Sequence, residues 1–114
     1  MILEPGEKVH IIMRRNFEND PRRHFVGEIV EAGDQVAKVK GRAIVFDSAN
    51  IQYEVKTDTR VRIISLTDAR NIINVIPRET KIDNIKYVMS LEKRLVVTDG
   101  ESFMLDINEF GVRR

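Results

Sequence analysis

Apolar and polar residues alternate in short runs along most of the chain. Valine, isoleucine, phenylalanine and threonine recur at every second position, and glycine, aspartate, asparagine or proline stands between the runs. A period of two that is interrupted by turn residues is typical of β-strands that bury one face. The pattern predicts a mainly β protein with strands at residues 8–13, 24–32, 35–47, 51–55, 59–66, 71–76, 87–91, 94–98 and 103–107.

The predicted strands are joined mostly by short turns, which favour antiparallel pairing in a small barrel or a strongly bent sheet. Gly27 and Gly41 fall in the middle of predicted strands, where a missing side chain permits a sharp bend or a close backbone approach. We therefore expect a small, strongly bent antiparallel barrel at residues 1–77. Residues 78–114 are expected to form a C-terminal β-meander that packs on or beside the barrel.

The apolar faces of the strands define the expected core. His10 stands between two apolar residues and is expected to be half-exposed on its strand. His24 follows an arginine and is expected to titrate near neutral pH. The residues expected inside the barrel are Ile11, Phe25, Ile29, Val39, Val45, Val61, Ile63, Ile73 and Val75.

Basic residues occupy one face of two predicted strands. Lys38, Lys40 and Arg42 alternate with apolar residues in the third strand, and Arg60 and Arg62 do so in the fifth. If these strands are neighbours, the side chains would form a basic stripe suited to a phosphate backbone. The alternative is cross-strand pairing with carboxylates, which would leave no stripe. The carboxylates available for such pairing are Glu28, Glu31 and Glu54.

The composition of the 114-residue chain narrows the functional classes. It carries 19 Lys and Arg against 18 Asp and Glu, so an anion site must be a local patch rather than the whole surface. Cysteine is absent and there are only two histidines, which excludes disulfides and predicts neither a metal site nor a cofactor. The sequence has no glycine-rich phosphate loop and no Ser-His-Asp spacing. We therefore expect no enzymatic activity.

Membrane association is not expected from the sequence. No apolar run approaches the roughly 20 residues that a membrane-spanning helix needs. The first six residues lack the basic-then-apolar layout of a signal peptide. These observations predict a cytoplasmic protein.

A local excess of positive charge surrounds the first long loop. Four arginines and a phenylalanine stand there against two carboxylates. Arginine can fork onto phosphate and stack on bases, and phenylalanine offers a stacking face. The loop is therefore a candidate for contact with RNA or phosphate, and the alternative is a solvated loop with ordinary surface ion pairs. The candidate residues are Arg14, Arg15, Phe17, Arg22 and Arg23.

Three segments resemble Sm-like proteins. Residues 25–29, Phe-Val-Gly-Glu-Ile, resemble the aromatic-x-Gly-x-aliphatic core of the first Sm motif. Residues 30–41 are similar to the next segment of the bacterial host-factor RNA chaperones (Hfq), where an Asp-Gln pair also opens the third strand. Residues 70–77, which end in an aliphatic residue and proline, resemble the second Sm motif of the bacterial branch. The resemblance covers residues 8–77 and implies a small Sm-like barrel, although an SH3-like barrel would share much of the pattern.

The resemblance also implies partners and site residues. It implies binding of single-stranded RNA near two turns, and self-association in which strand 59–66 of one copy pairs with strand 71–76 of the next. Pairing of this head-to-tail kind closes into a ring if its rotation allows. The turn residues implied in RNA contact are Asp34, Gln35, Arg70 and Asn71.

The chain departs from the family's pattern at positions that matter for base binding. Ala37 and Lys38 lie where many Sm proteins place an asparagine that bonds a base, and Asn71 replaces the usual glycine after arginine. The first loop is longer than usual, and residues 78–114 have no counterpart in the minimal fold. Three hypotheses stay open: an oligomeric Sm-like RNA binder, a protein-interaction or assembly module that ignores nucleic acid, and a domain that binds an anionic nucleotide through the clustered arginines.

Overall fold

Antiparallel strands dominate the computed structural model, which describes residues 2–107. This confirms the prediction of a mainly β chain. A single turn of 3-10 helix, Ile82–Asn84, interrupts the strands, and no helix in the described range is long and apolar enough to span a membrane. The strands are β1 (Lys8–Met13), β2 (Arg23–Ala32), β3 (Val36–Asp47), β4 (Gln52–Val55), β5 (Arg60–Ser65), β6 (Asn71–Ile76), β7 (Lys86–Met89), β8 (Leu95–Thr98) and β9 (Met104–Asp106).

The first six strands form one sheet that curls but stays open. Its order is β4-β3-β2-β1-β6, and β5 pairs with the other half of the long strand β3. No ladder joins β5 to β6 within residues 2–107, so each of these strands keeps one free edge. Ile64 of β5 and Ile73 of β6 nevertheless pack into the same core cluster. The sheet must therefore curl to bring these strands to one core.

Two glycines allow β2 and β3 to approach closely at the centre of the curl. Gly27 and Gly41 are direct partners in the β2–β3 register. A Cβ atom on Gly41 would stand 1.9 Å from the carbonyl oxygen of Val26, and one on Gly27 would stand 2.5 Å from that of Lys40. Both contacts are with backbone, which cannot move aside as a side chain can. The close approach expected at these glycines is confirmed.

The sheet buries both of its faces. Its inner face holds a core built around Phe25, Ile11 and Val39. Strands β7, β8 and β9 form a three-stranded antiparallel meander. Val97 of this meander packs against Val26 on the outer face of the first sheet, in a second core. The segment after the first sheet therefore covers the outer side of that sheet.

Five of the nine expected core residues belong to the inner core, one is half-buried outside it, and three are exposed. Ile11, Phe25, Ile29 and Val39 are buried, and Val45 and Ile73 are half-buried. The prediction is wrong for the other three, whose exposed fractions are 56% for Val61, 67% for Ile63 and 61% for Val75.

The errors arise at the two free edges. In β5 the buried residue is Ile64, so the apolar residues that alternate with the arginines face outward. Arg62 faces inward instead, with its guanidinium 5.3 Å from the centroid of the Phe25 ring. Val75 is the register partner of the buried Val9 but lies on an edge strand, and it remains 61% exposed.

The basic stripe, one of the two alternatives, does not form. Strands β3 and β5 are neighbours, but Lys38 pairs with Ile63 and Lys40 with Val61 in their register. Directly paired residues share one face of a sheet, so the arginines of β5 lie on the opposite face from these lysines. On the other side of β3 the lysines face carboxylates: Glu28 is the partner of Lys40 and Glu31 that of Lys38. The register therefore places these lysines opposite carboxylates, as the cross-strand alternative requires.

Candidate nucleic-acid interface

A groove of about 590 Å³ opens where β1 ends and the long loop 14–22 begins. Three arginines of the loop line it, together with a histidine, a phenylalanine and a tyrosine of β2, β3 and β4. Leu95 of the meander also lines the groove. We call it the Arg-aromatic groove and define it by Arg14, Arg15, Arg22, His24, Phe46 and Tyr53.

Local hydrogen bonds shape the loop that carries the arginines. The Asp20 carboxylate accepts from the backbone N–H groups of Asn16 at 3.2 Å and Phe17 at 3.1 Å. The Arg15 guanidinium donates to the backbone oxygen of Glu18 at 2.9 Å. Aspartate commonly orders turns through such side-chain to backbone bonds. The loop thus folds back on itself at the mouth of the groove.

The ends of the loop are tied to the sheet on both sides. The Arg14 N–H donates to the carbonyl oxygen of Arg70 at 2.8 Å, and the Phe46 N–H donates to that of Arg22 at 2.9 Å. The Arg22 guanidinium lies 5.3 Å from the centroid of the Phe46 ring, within the range of a cation–π contact. The backbone at Arg14 and at Arg22, the two ends of the loop, is therefore fixed relative to the aromatic residues of the groove.

A buried polar cluster lies beneath the groove and joins the two sheets. The Tyr87 hydroxyl of β7 lies 2.8 Å from His10 Nε2 and 2.6 Å from His24 Nδ1. His10 is 0% exposed and His24 is 5% exposed. The hydroxyl can donate only one hydrogen, so one imidazole accepts it and the other donates its own N–H to the hydroxyl oxygen. The distances fit two neutral histidines.

Burial sets the protonation of the cluster. It lowers the pKa of His10 to about 3 and that of His24 to about 4, and neighbouring positive charge adds to both shifts. Burial also raises the pKa of the Tyr87 hydroxyl. The prediction of a half-exposed His10 is wrong because the meander covers that face of β1. The prediction that His24 titrates near neutral pH is wrong for the same reason.

The aromatic rings form a stack that extends from the cluster to the groove. Tyr53 stacks on Tyr87 with centroids 4.6 Å apart and planes at 18°. It also stacks on His24 at 4.9 Å and 25°. Phe46 stands at 67° to the Tyr53 ring, 5.1 Å away. These rings give the groove an uncharged aromatic floor beneath a cationic rim.

Three of the five residues predicted in the basic loop line the groove. They are Arg14, Arg15 and Arg22. Arg23 precedes His24 in β2, and alternation along the strand turns its side chain to the opposite face. Phe17 is 72% exposed on the loop and does not line the groove.

The residues of the two predicted turns meet through residues 65–66. The Gln35 carbonyl oxygen accepts from the Leu66 N–H at 2.7 Å, and the Asn71 side-chain amide donates to the Ser65 carbonyl oxygen at 3.0 Å. Asp34 is exposed and lines a separate, mainly apolar pocket of about 340 Å³ beside β6. The turn pair is thus brought together, but outside the Arg-aromatic groove.

Arg70 connects the turn pair to the basic loop. Its guanidinium pairs with Asp68 at 2.9 Å and also donates to the Asn16 side chain of the loop. The hydrogen bond from Arg70 lowers the pKa of the Asp68 carboxyl, and Asp68 raises that of Arg70. Much of the positive charge of Arg70 is therefore already balanced within the chain.

The sequence reasoning missed the aromatic half of the groove. Phe46 and Tyr53 are direct partners across the β3–β4 hairpin. Asp47 closes that hairpin by accepting from the N–H groups of Ala49 and Asn50. The turn at Ser48 to Asn50 is visible in the sequence, but counting outward from those three residues pairs Phe46 with Gln52. The observed partner of Phe46 is Tyr53, because the loop also includes Ile51, whose φ is +53°. The sequence therefore locates the hairpin but not the register that puts both aromatics on one face.

The arrangement suits binding rather than metal chemistry. Residues 2–107 contain no cluster of three histidine, aspartate or glutamate residues that could hold a metal ion. Arginines above an uncharged aromatic floor match a ligand that carries both phosphates and flat rings. Comparisons with protein-family models, with curated proteins and with solved structures find no match to this chain.

Proposed function

We propose that this protein is a non-enzymatic, self-associating β module of the Sm-like type that binds single-stranded RNA in the Arg-aromatic groove. The observation that carries the proposal is the convergence of three arginines and two aromatic rings on one groove. Arginine forks onto phosphate oxygens, and aromatic rings accept unstacked bases. A duplex keeps its bases stacked inside, so the groove favours single strands.

The charge distribution supports a local site of this kind. The whole chain carries a net charge of +1, which provides little general attraction for a polyanion. The lysines of β3 are matched by glutamates across the sheet. Attraction for RNA then depends on the groove arginines, and affinity falls with salt in proportion to the number of phosphates they neutralise.

The curled sheet and its free edges support the Sm-like part of the proposal. Strands β5 and β6 each have one neighbour within the described residues. Under the resemblance to Sm-like proteins, these would be the strands that pair between subunits. β5 exposes Val61 and Ile63, and β6 exposes Val75. An unpaired edge that carries exposed apolar residues invites a second copy.

Anisotropy of a fluorescein-labelled uridine- or adenine-rich RNA tests the binding. We expect affinity to fall steeply between about 50 and 200 mM KCl. The variant Arg14→Ala/Arg15→Ala/Arg22→Ala should weaken binding at least tenfold at low salt, because each lost arginine removes a phosphate contact. The control Lys38→Ala/Lys40→Ala/Lys86→Ala removes the same charge from exposed positions outside the groove and should bind within about twofold of the parent.

Failure of the parent protein to bind at low salt would reject the RNA proposal. Equal losses in the two triple variants would show that charge alone, and not the groove, attracts RNA. Purification without nuclease, followed by light scattering and the ratio of absorbances, reports in the same experiment whether nucleic acid stays with the protein.

The second candidate function is an assembly or protein-interaction module that ignores nucleic acid. It is favoured by the pairing of Arg70 with Asp68, which occupies a residue implied in RNA contact. A stable oligomer without bound nucleic acid, together with flat anisotropy curves, would support this candidate over RNA binding.

A further inference from the structure

The Tyr53 ring has both of its stacked neighbours on one side. Its centroid lies 4.9 Å from that of His24 and 4.6 Å from that of Tyr87. Neighbours on opposite faces would be separated by nearly the sum of these distances, 9.5 Å, yet His24 and Tyr87 are 5.7 Å apart. Tyr53 is half-buried and lines the groove, so the surface left for a ligand is the part of its ring away from this pair and beside Phe46.

The aromatic stack that contains Tyr53 is held in place by hydrogen bonds and by the strand register. The Tyr87 hydroxyl contacts both buried histidines, within 2.8 Å. Tyr53 itself lies on β4, whose register with β3 fixes it beside Phe46. A preorganised aromatic surface loses little conformational freedom when a ligand stacks on it. The stack therefore offers a rigid surface at the floor of the groove.

Phe46 and two arginines that line the groove lie where they could contact the ring and the phosphates of a nucleotide. Phe46 stands edge-on to Tyr53, at 67°, and Arg22 is held 5.3 Å from the Phe46 centroid. Arg15 lines the groove from the loop on the same rim. A flat ring that enters along Phe46 and stacks on Tyr53 would place its sugar and phosphates toward the rim arginines.

This inference rests on the proposed function and sharpens it. We propose that Tyr53 is the stacking platform for one extruded base of the bound strand, and that Arg15 and Arg22 hold the phosphates on either side of that base. Stacking on an aromatic face tolerates every base. The site therefore selects an unpaired nucleotide rather than a sequence.

A fluorescent base provides the direct test. A short single-stranded RNA that carries 2-aminopurine is titrated with the full-length protein, and the label is placed at each position in turn. 2-Aminopurine emission falls when the base stacks on an aromatic ring. We expect strong quenching at one or a few positions and weak change at the rest. Quenching at no position, with anisotropy showing that the RNA is bound, would overturn the inference.

Substitutions then assign the platform. Tyr53→Leu should weaken RNA binding about tenfold and abolish the quenching, because the stacking surface is lost. Tyr53→Phe keeps the ring and should keep both signals. Phe17→Leu removes an exposed phenylalanine of the same loop that does not line the groove, and it should leave both signals unchanged.

The outcomes separate the two proposals. If RNA binds and Tyr53→Leu behaves like the parent, the platform is wrong while RNA binding in the groove stands. If the parent fails to bind RNA at low salt, the proposed function fails and the platform fails with it. Absence of quenching in the parent overturns the inference even if Tyr53→Leu does not fold, and Tyr53→Trp, which keeps a stacking ring, then serves as the second variant.

Discussion

The Tyr87 hydroxyl joins the two sheets through the only two histidines of the chain. A buried polar group is costly unless it is hydrogen-bonded, and the cluster pairs the Tyr87 hydroxyl with one ring nitrogen of each histidine, while His10 Nδ1 has no partner among the described residues. Protonation of both imidazoles would leave two buried cations beside one hydroxyl, and burial makes such charge costly. The cluster therefore makes the contact between the sheets sensitive to acid.

Acid should destabilise the protein well above the range in which carboxylates titrate. Burial lowers the pKa of His10 to about 3 and that of His24 to about 4 from an ordinary value of 6.5. The unfolded chain thus binds more protons than the folded protein as pH falls below about 6.5. The free energy of unfolding should be greatest above that pH and should fall by up to about 1.4 kcal/mol per pH unit for each histidine. Urea unfolding at several pH values measures it.

The histidine ring resonances provide the control for this pH dependence. In the folded protein they should not shift between about pH 8 and pH 5, because neither imidazole is protonated there. A titration midpoint near the ordinary value would contradict the buried, neutral cluster. The pKa of aspartates such as Asp68 is lowered by a hydrogen bond from Arg70. Their contribution to the free energy of unfolding is therefore lost only at a lower pH than that of the histidines.

At the scale of elements, the close pairing of β2 and β3 depends on two facing glycines. Gly41→Ala should be strongly destabilising, because its Cβ would lie 1.9 Å from the Val26 carbonyl oxygen and 2.5 Å from the Gly27 Cα. The strands would have to separate at the centre of the sheet, and a loss of about 3 kcal/mol or more is expected. Urea unfolding measures the loss, and a protein that fails to fold also meets the expectation.

A third glycine serves as the matched control. A Cβ on Gly33 would have its nearest neighbour at 3.8 Å, an ordinary contact. Gly33→Ala should therefore be neutral, or stabilising by up to about 1 kcal/mol through the unfolded chain. Similar losses for Gly33→Ala and Gly41→Ala would show that helix or strand propensity, and not the close approach, controls this sheet.

The positions of the strands could be predicted from the sequence, but their outer faces could not. Period-two alternation located β1 to β6 within a few residues. It failed in β5, where arginines share the inner face and apolar residues face outward at a free edge. Alternation gives two faces without saying which is buried, and an edge strand that awaits a partner can bury either.

The second core could also have been predicted from the sequence of β3. Residues 43–46 of β3, Ala-Ile-Val-Phe, contain no polar position, a pattern typical of a strand covered on both faces. That run predicts a cover over the outer side of the sheet, and the meander provides it. Of the Arg-aromatic groove, the sequence predicted the arginines but not the aromatic rings. Its arginines cluster in the sequence, whereas its rings come together only through the β3–β4 register.

At the scale of the whole molecule, the open curl explains where another copy would bind. Each end of the sheet presents unpaired backbone groups at β5 and β6. The apolar pocket of about 340 Å³ lies beside β6 and is lined by Leu3, Ile73 and Val75. Pairing of β5 of one copy with β6 of the next would satisfy both edges and would cover exposed aliphatic side chains. Such contacts are head-to-tail, so a closed ring is the assembly that leaves no β5 or β6 edge unpaired.

Charges on both edges should therefore dissolve the assembly. The double variant Ile63→Lys/Val75→Lys places a cation on β5 and on β6, at side chains that are 67% and 61% exposed in the single chain. Its own fold should be kept because neither side chain is buried. Light scattering coupled to size exclusion should show several copies for the parent and one for the variant.

The control Met89→Lys/Leu91→Lys adds the same charge at exposed meander positions and should leave the assembly intact. A parent protein that runs as a single copy would refute edge pairing, and the free edges would then be protected by their twist and neighbouring charges alone.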